Sequence, residues 1–371
     1  MPSGTECSLD APNGYKIIQE GISSILVPDN RSVFYNPVQE FNRDLSMLIA
    51  HLFSKLFSKE RDERAKAKPS AARGSSASTF KILDALTASG FRAIRYAHQV
   101  PLASQIISND LDHGVRETIS ANIAHNAIKE DLIKINIQDA KYAGKQSFFD
   151  LIDVDPYGSA SPFLDAAVQA VSSGGLLAIT STDMAVLCGV HPGTCFAKYQ
   201  GVPLHSDYSQ EMAIRLLLNA VETAANRYGR YIEPLVSVKI DFYVRIFVRV
   251  HKGPLEVKKS VKKRALVLAC PACRTFFAQP IGAIVANDKY AYSPLAVSCC
   301  SICSSTKLQV AGPIWSANLH SKEFVLSLQE FLSSSTDFIL GTRPRICGFL
   351  SLLSEVACLL PNDRKLIRFS T

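Results

Sequence analysis

Asp155-Pro156-Tyr157-Gly158 follows directly on the apolar run Phe149-Asp150-Leu151-Ile152-Asp153-Val154. It brings together a carboxylate, a carbonyl on a residue without an N–H, and an aromatic ring. That trio suits an exocyclic amine on a heteroaromatic base. Two oxygens accept the two amine hydrogens while the ring stacks on the base, which is worth about 1–3 kcal/mol. Drawing on both N–H bonds localises a lone pair otherwise spread into the base, and the nitrogen becomes a usable nucleophile. Each of these residue types also favours ordinary turns, and the tetrapeptide alone fits a turn better.

The surrounding residues change that balance. Asp110 ends the second expected strand about 20 residues past Gly90, the position at which a ribose diol is bound in doubly wound sheets. After the third strand, the Asp139 carboxylate suits an adenine amine and the Ala140 N–H suits the ring. Acids thus follow four successive strands, at Asp84, Asp110, Asp139 and Asp155. A pyrophosphate would want N–H groups and cations instead, so the pattern favours an adenosine-bearing cofactor without phosphates. S-Adenosylmethionine fits that description. The loop Ala85–Gly90 has a single glycine and lacks the glycine-rich dinucleotide fingerprint.

Two CxxC pairs, Cys270-Pro271-Ala272-Cys273 and Cys300-Ser301-Ile302-Cys303, carry a structural zinc signal, with Cys299 standing beside the second as an alternative ligand. A thioredoxin-like role fits poorly, because neither pair opens a helix after a buried strand. Cys188, His191 and Cys195 lack a fourth ligand and read as loop or core residues.

The elements that must position these groups can be read from periodicity. Short strands are expected at 15–18, 25–27 and 33–35, then a helix from Gln39 into the fifties with Phe41, Leu45, Leu48, Ile49, Leu52 and Phe53 on one face. Residues 58–79 are charged and small, and are expected to form a flexible basic insertion. Strands at 80–84, 105–108, 133–137, 149–154 and 176–179 alternate with helices, the last of which is expected to stop at Gly174-Gly175. A long amphipathic helix from Tyr208 to Ala225 and closing strands at 236–240 and 243–250 complete a doubly wound α/β domain over 1–253. A second, smaller α+β domain is expected over 254–371. Its cluster Lys258, Lys259, Lys262, Lys263 and Arg264 fits either phosphate contact or solvation. The final forty residues suggest no role.

The 371 residues carry a net charge of +7, which favours a polyanionic partner, and no apolar run reaches transmembrane length. The first fifteen residues resemble neither a secretory signal nor an arginine-rich transit peptide. Ten cysteines then point to a reducing setting, expected to be nucleus or cytoplasm with an organelle left open.

Taken together, Glu20-Gly21, Val33-Phe34-Tyr35-Asn36-Pro37, Asn42-Arg43-Asp44, Asp84-Ala85-Leu86-Thr87-Ala88-Ser89-Gly90-Phe91-Arg92, Asn109-Asp110, Asp139-Ala140, Asp155-Pro156-Tyr157-Gly158, Cys188-Gly189-Val190-His191-Pro192, the CxxC pairs and Gly312-Pro313-Ile314-Trp315 resemble the tRNA guanine-26 N2-dimethyltransferases. The resemblance runs in order from about residue 20 to 330. It implies a class I S-adenosylmethionine-dependent methyltransferase (Rossmann-like) domain with a zinc-containing, tRNA-binding second domain, in an expected monomer. It assigns cofactor contacts to Arg43, Arg92, Asp110, Asp139 and Ala140, with Arg43 and Arg92 as partners of the methionine carboxylate. Asp155 would hold the guanine amine together with the Pro156 carbonyl, and Phe34 and Tyr157 would stack on the base. Tyr157 stands where some members have phenylalanine, which keeps the ring face. Many eukaryotic relatives continue past the position of Thr371, so a shortened second domain is expected. Two rival readings remain at this level: another amine methyltransferase, acting on adenine N6 or a protein amide, and a non-catalytic zinc-containing RNA-binding protein.

Overall fold

The computed structural model describes residues 12–29, 35–67, 79–144 and 148–359. In chain order it contains β1 (Tyr15–Glu20), β2 (Ser23–Pro28), α1 (Glu40–Ala67), β3 (Phe80–Asp84), α2 (Phe91–Gln99), β4 (Ala103–Asp110), α3 (Val115–His125), β5 (Ile133–Ile137), α4 (Ala140–Ala143), β6 (Phe149–Val154), α5 (Leu164–Ala170) and β7 (Val171–Ser181). There follow α6 (Met184–Leu187), α7 (Pro192–Tyr199), α8 (Ser209–Asn226), β8 (Arg230–Ile240), β9 (Tyr243–Lys252), α9 (Pro254–Lys258), β10 (Arg264–Ala269), β11 (Phe276–Pro280), β12 (Gly282–Val285), β13 (Lys289–Tyr292), β14 (Gln309–Trp315), α10 (Lys322–Ser334) and α11 (Arg343–Leu359). Two compact units are distinguished. The first comprises Met1–Asp155, Ala170–Ala178 and Lys322–Val356; the second comprises Pro156–Gln169, Ile179–Ser321 and Ala357–Thr371.

Seven strands form one sheet in the order β5-β4-β3-β6-β7-β9-β8. The pairs β4–β5, β3–β4 and β3–β6 are parallel and β8–β9 is antiparallel. In the first unit the chain runs outward from β3 through β4 to β5, then returns to β6 on the other side of β3. Such a reversal opens a crevice at the carboxyl ends of the two central strands. Those ends carry acids: Asp84 on β3 is the register partner of Asp153 on β6, and Asp155 lies two residues further on. β6 is buried along its whole length, which explains its near-continuous apolar character.

Helix α1 buries Phe41, Leu45, Leu48, Ile49, Phe53 and Phe57 at three- and four-residue spacings. It does not stop in the fifties. Its last turns, through Ala67, are polar and include the i,i+4 pair Glu60–Arg64. The first ten residues of the expected insertion are therefore helical, while 68–78 lie outside the described residues. The segment expected to be helical up to Gly174-Gly175 ends earlier, at Ala170, and β7 begins at Val171. Gly175 has a strand role: a Cβ there would lie 2.9 Å from the Asp150 carbonyl oxygen.

The C-terminal helix α10, and α11 as far as Val356, belong to the first unit. Just before α11, Thr342 donates from its N–H and its hydroxyl to Asp44 Oδ2, both at 2.7 Å. This fixes a segment for which the sequence suggested no role.

In the second unit, α8 buries most of its length, and Arg215 is held by Glu211 and by the Trp315 carbonyl at 2.9 Å. β10 pairs antiparallel with both β11 and β14. Nearby, His320 Nδ1 accepts the Ser237 N–H at 3.2 Å, and burial, reinforced by Arg215, pushes its pKa down to about 4. The folded protein thus prefers neutral imidazole. This contribution is complete above the unfolded value near 6.5 and is lost as pH falls towards 4. Unfolding titrations should show up to about 3 kcal/mol of stability lost over that window, and His320→Gln should flatten that part of the curve. Among the described residues, no helix is long and apolar enough to cross a membrane.

Candidate active site and thiol cluster

The crevice acids are organised by one cation. Arg92, in the first turn of α2, pairs through Nη2 with Asp155 Oδ2 and through Nη1 with Asp153 Oδ2 at 3.4 Å, and Nη1 also donates to Ser46 Oγ at 3.2 Å. The Arg92 and Asp155 side chains are 8% and 12% exposed, so Asp155 is neither sealed in the core nor loose in solvent. Tyr96 donates its hydroxyl to Asp153 Oδ2 at 2.5 Å, and Thr87 donates to Asp84 Oδ2 at 2.6 Å. Burial first, then Asp153, pushes the Asp84 carboxyl up to about 7 against the pull of Arg92 and Thr87. Burial lowers the Arg92 pKa, but Asp153 and Asp155 more than offset this and raise it above its ordinary value. A buried charge left without any partner is costly, and Arg92 avoids this by sharing two carboxylates and a hydroxyl.

The sequence suggested Arg92 and Arg43 as partners of a cofactor carboxylate. Both are engaged by the protein in this structure. Arg43 is ion-paired with Glu20, donates through Nη2 to the Asn36 carbonyl at 3.0 Å, and lies over the Tyr35 ring at 5.1 Å. Arg95 completes the group, reaching Glu20 at 2.9 Å and Asp44 at 2.5 Å. Burial raises the Glu20 pKa, but Arg43 and Arg95 outweigh it and hold the carboxyl below its ordinary value.

Asp110 sits on the neighbouring strand end. Its Oδ2 accepts the Ala88 N–H at 2.8 Å and its Oδ1 accepts the Asp112 N–H at 3.1 Å, so the loop after β3 fixes its orientation. That loop turns through Ala88 at φ 48° and Gly90 at φ 79°, and a Cβ on Gly90 would meet Ile119 at 3.0 Å. Asn109 donates to the carbonyls of Ala85 and Gln138 and accepts from Asn136, which ties three strand ends together. Asp139 is 31% exposed and caps α4 by accepting the Lys141 N–H at 3.0 Å. That hydrogen bond, above the minor desolvation, lowers its pKa. Ala140 opens α4. Pro156 is buried, Tyr157 is 73% exposed, and Gly158 turns at φ 78°. Phe34 lies outside the described residues.

Cys270, Cys273, Cys300 and Cys303 bring their sulfurs within 4.8 Å of one another. The two pairs are built alike. Cys270 N donates to the Thr275 carbonyl and Arg274 N to the Cys270 carbonyl; Cys300 N donates to the Ser305 carbonyl and Ser304 N to the Cys300 carbonyl. Arg274 and Ser304, each four residues past its first cysteine, adopt φ 60° and 58°. The repeated turn settles the register: Cys300 joins the cluster, and the exposed Cys299 stands outside it. Four converging thiols form the donor set that suits tetrahedral zinc. In the lysine cluster, Lys258 and Lys262 are exposed, whereas Lys259 is paired with Glu256 and Asp288 at 3.2 Å.

Sequence reasoning did not single out Asp153, Tyr96, Arg95 or Ser46. A signal existed for Asp153, since an acid inside an otherwise apolar strand needs a partner. The sequence holds no mark that pairs Glu20 with Arg95 across 75 positions.

A family model for N2,N2-dimethylguanosine tRNA methyltransferases matches residues 14–361. The tRNA (guanine(26)-N(2))-dimethyltransferase of Drosophila melanogaster is 40% identical over 375 residues, covering 91% of this chain and 64% of its own length. The mitochondrial enzyme of that name from Saccharomyces cerevisiae is 37% identical over 385 residues, covering 91% of this chain and 67% of itself. The chain thus spans about two thirds of the length of these relatives. Trm1 from Pyrococcus horikoshii, solved as a complex with S-adenosyl-L-methionine, superposes with a TM-score of 0.73 at 25% identity over 91% of this chain and 82% of that one. The fold is therefore that of a Rossmann-like methyltransferase, and the chain belongs to the N2,N2-dimethylguanosine tRNA methyltransferase family.

Proposed function

We propose that this protein transfers methyl groups from S-adenosylmethionine to the exocyclic N2 of guanine 26 in tRNA, giving N2,N2-dimethylguanosine. The observation that carries the proposal is the Asp155 carboxylate, fixed by Arg92 at the carboxyl end of β6 and followed at once by buried Pro156 and exposed Tyr157. When bound, the cofactor supplies an electrophilic methyl group on a sulfonium. Asp110, its carboxylate already oriented by two backbone N–H groups, suits the ribose diol. Asp139 and the Ala140 N–H suit the adenine. Arg92 and Arg43, whose guanidinium groups are already held by Asp153, Asp155, Ser46 and Glu20, suit the methionine carboxylate.

Asp155 and the Pro156 carbonyl accept the two N2 hydrogens, and Asp155 then takes the proton that nitrogen must lose. Tyr157 stacks on the base, with Phe34 as the expected second face. Reaching that pocket requires the base to leave its stack, and positioning supplies much of the rate. Cys270, Cys273, Cys300 and Cys303 hold a structural zinc ion, and Lys258 and Lys262 meet tRNA phosphates.

The test incubates the protein with unmodified tRNA and labelled S-adenosylmethionine, then analyses the nucleosides and maps the modified position. N2-methyl- and N2,N2-dimethylguanosine at position 26 are expected. Label in N6-methyladenosine, or cofactor binding without transfer, would overturn the proposal.

A further inference from the structure

We infer that Tyr199 is a positioning residue for the base-presenting segment Pro156–Ser159, an inference that rests on the function proposed above. Tyr199 is fully buried at the end of α7. Its hydroxyl lies 2.7 Å from Ser159 Oγ, 2.7 Å from Asp183 Oδ1 and 3.3 Å from Ser181 Oγ. A phenol has one hydrogen to give and can also accept, so one hydroxyl can bridge several partners. The carboxylate can only accept, so the phenol hydrogen is directed to Asp183, with Ser181 Oγ a second, longer acceptor at 3.3 Å, and the Ser159 hydroxyl donates back to the phenol oxygen. One atom thereby joins the segment after Tyr157 to the residues that end β7 and follow it.

Further bonds run across the same two segments. Gly158 N–H donates to Thr182 Oγ1 and Thr182 N–H donates to the Gly158 carbonyl, both at 2.8 Å. Ala160 N–H donates to Ser181 Oγ at 3.3 Å, and Ser161 Oγ donates to the Lys198 carbonyl at 2.7 Å. Lys198 Nζ in turn reaches Asp183 Oδ2 at 3.3 Å. Tyr157 therefore protrudes from a turn whose next residues are held on two sides. A ring meant to stack on a base must be presented in this way, since a loose turn would lose the alignment that the reaction needs. Burial, with Asp183 adding to it, raises the Tyr199 pKa and keeps the phenol a donor.

The same arrangement explains Cys188-Gly189-Val190-His191-Pro192, which the proposed chemistry does not use. Gly189 turns at φ 96°, and a Cβ there would lie 2.8 Å from His205 N and 2.9 Å from the Leu204 carbonyl carbon. Pro192 then starts α7, as proline does well at a first helical position. Eight residues of helix deliver Tyr199 to its three partners. Cys195 is buried and Cys188 Sγ faces the Ser209 carbonyl at 3.7 Å, so the motif aims a helix.

Tyr199→Phe removes only the hydroxyl. On unmodified tRNA, kcat should fall about 10–100-fold, the scale expected when a reacting group is misplaced by around 1 Å. The cofactor Kd by calorimetry and the tRNA KM should stay within about twofold. Ser159→Ala should lower kcat in the same way, and the double variant should be no worse than Tyr199→Phe alone, because both break one network. A kcat per folded molecule within twofold of wild type, a change confined to KM, or additive losses in the double variant would each overturn the inference. An unsubstituted protein that does not methylate tRNA would instead defeat the proposed function, which keeps the two failures apart.

Discussion

Asp155→Ala is expected to abolish methyl transfer while leaving S-adenosylmethionine binding measurable. The loss should reach about 10²–10⁴-fold in single-turnover rate, the range associated with removing a positioned acid–base group. Two features make the outcome specific. Asp110 and Asp139, which suit the cofactor, take their hydrogen bonds from Ala88, Asp112 and Lys141, so none of their partners changes. Arg92 keeps Asp153 and Ser46 after Asp155 is gone and is not left alone in the crevice. The charge group also offers an internal check. Asp155 contributes to raising Asp84, so the variant should let the Asp84 pKa fall below about 7, readable by carboxyl NMR. A variant that still methylates tRNA at wild-type rate would remove Asp155 from the mechanism; one that fails to bind cofactor would move its role to the cofactor pocket.

The expected positions of the site acids were legible because strand ends are marked locally. Asp84, Asp110 and Asp155 follow short apolar runs, and a turn or helix signal follows each. The pairing of Arg92 with Asp155 was not legible. An arginine in the first turn of a helix reads the same whether it faces solvent, a ligand or an acid 63 positions away. The reach of α1 was misread for another reason: Lys59-Glu60-Arg61-Asp62-Glu63-Arg64-Ala65-Lys66-Ala67 lacks an apolar face, yet most of its residues are strong helix formers, so propensity extends the helix where periodicity stops. Gly174-Gly175 misled in the opposite sense. The pair reads as a helix stop, but Gly175 is a place of close backbone approach within β7. Asp44 and Thr342 are 298 positions apart, and no short-range pattern could announce their bond.

The zinc ion proposed for the four thiols should be lost in Cys300→Ser, with the second unit destabilised. Cys300 is fully buried with its sulfur 3.4 Å from that of Cys273, so a serine there offers the ion a weak oxygen ligand in place of a thiolate. Structural zinc contributes about 10–16 kcal/mol of apparent binding free energy, and in small sites that energy is folding energy. Metal analysis should therefore give well under one zinc per chain, with loss of the cooperative unfolding transition of strands β10, β11 and β14. Cys299→Ser is the control. Its neighbour closes the repeated turn, with Cys300 N–H on the Ser305 carbonyl matching Cys270 N–H on the Thr275 carbonyl, so the exposed Cys299 thiol can go without changing the metal content. Should Cys300→Ser keep a full zinc complement while Cys299→Ser loses it, the ligand assignment is reversed. Should neither variant nor wild type bind zinc, the metal role of the four thiols falls.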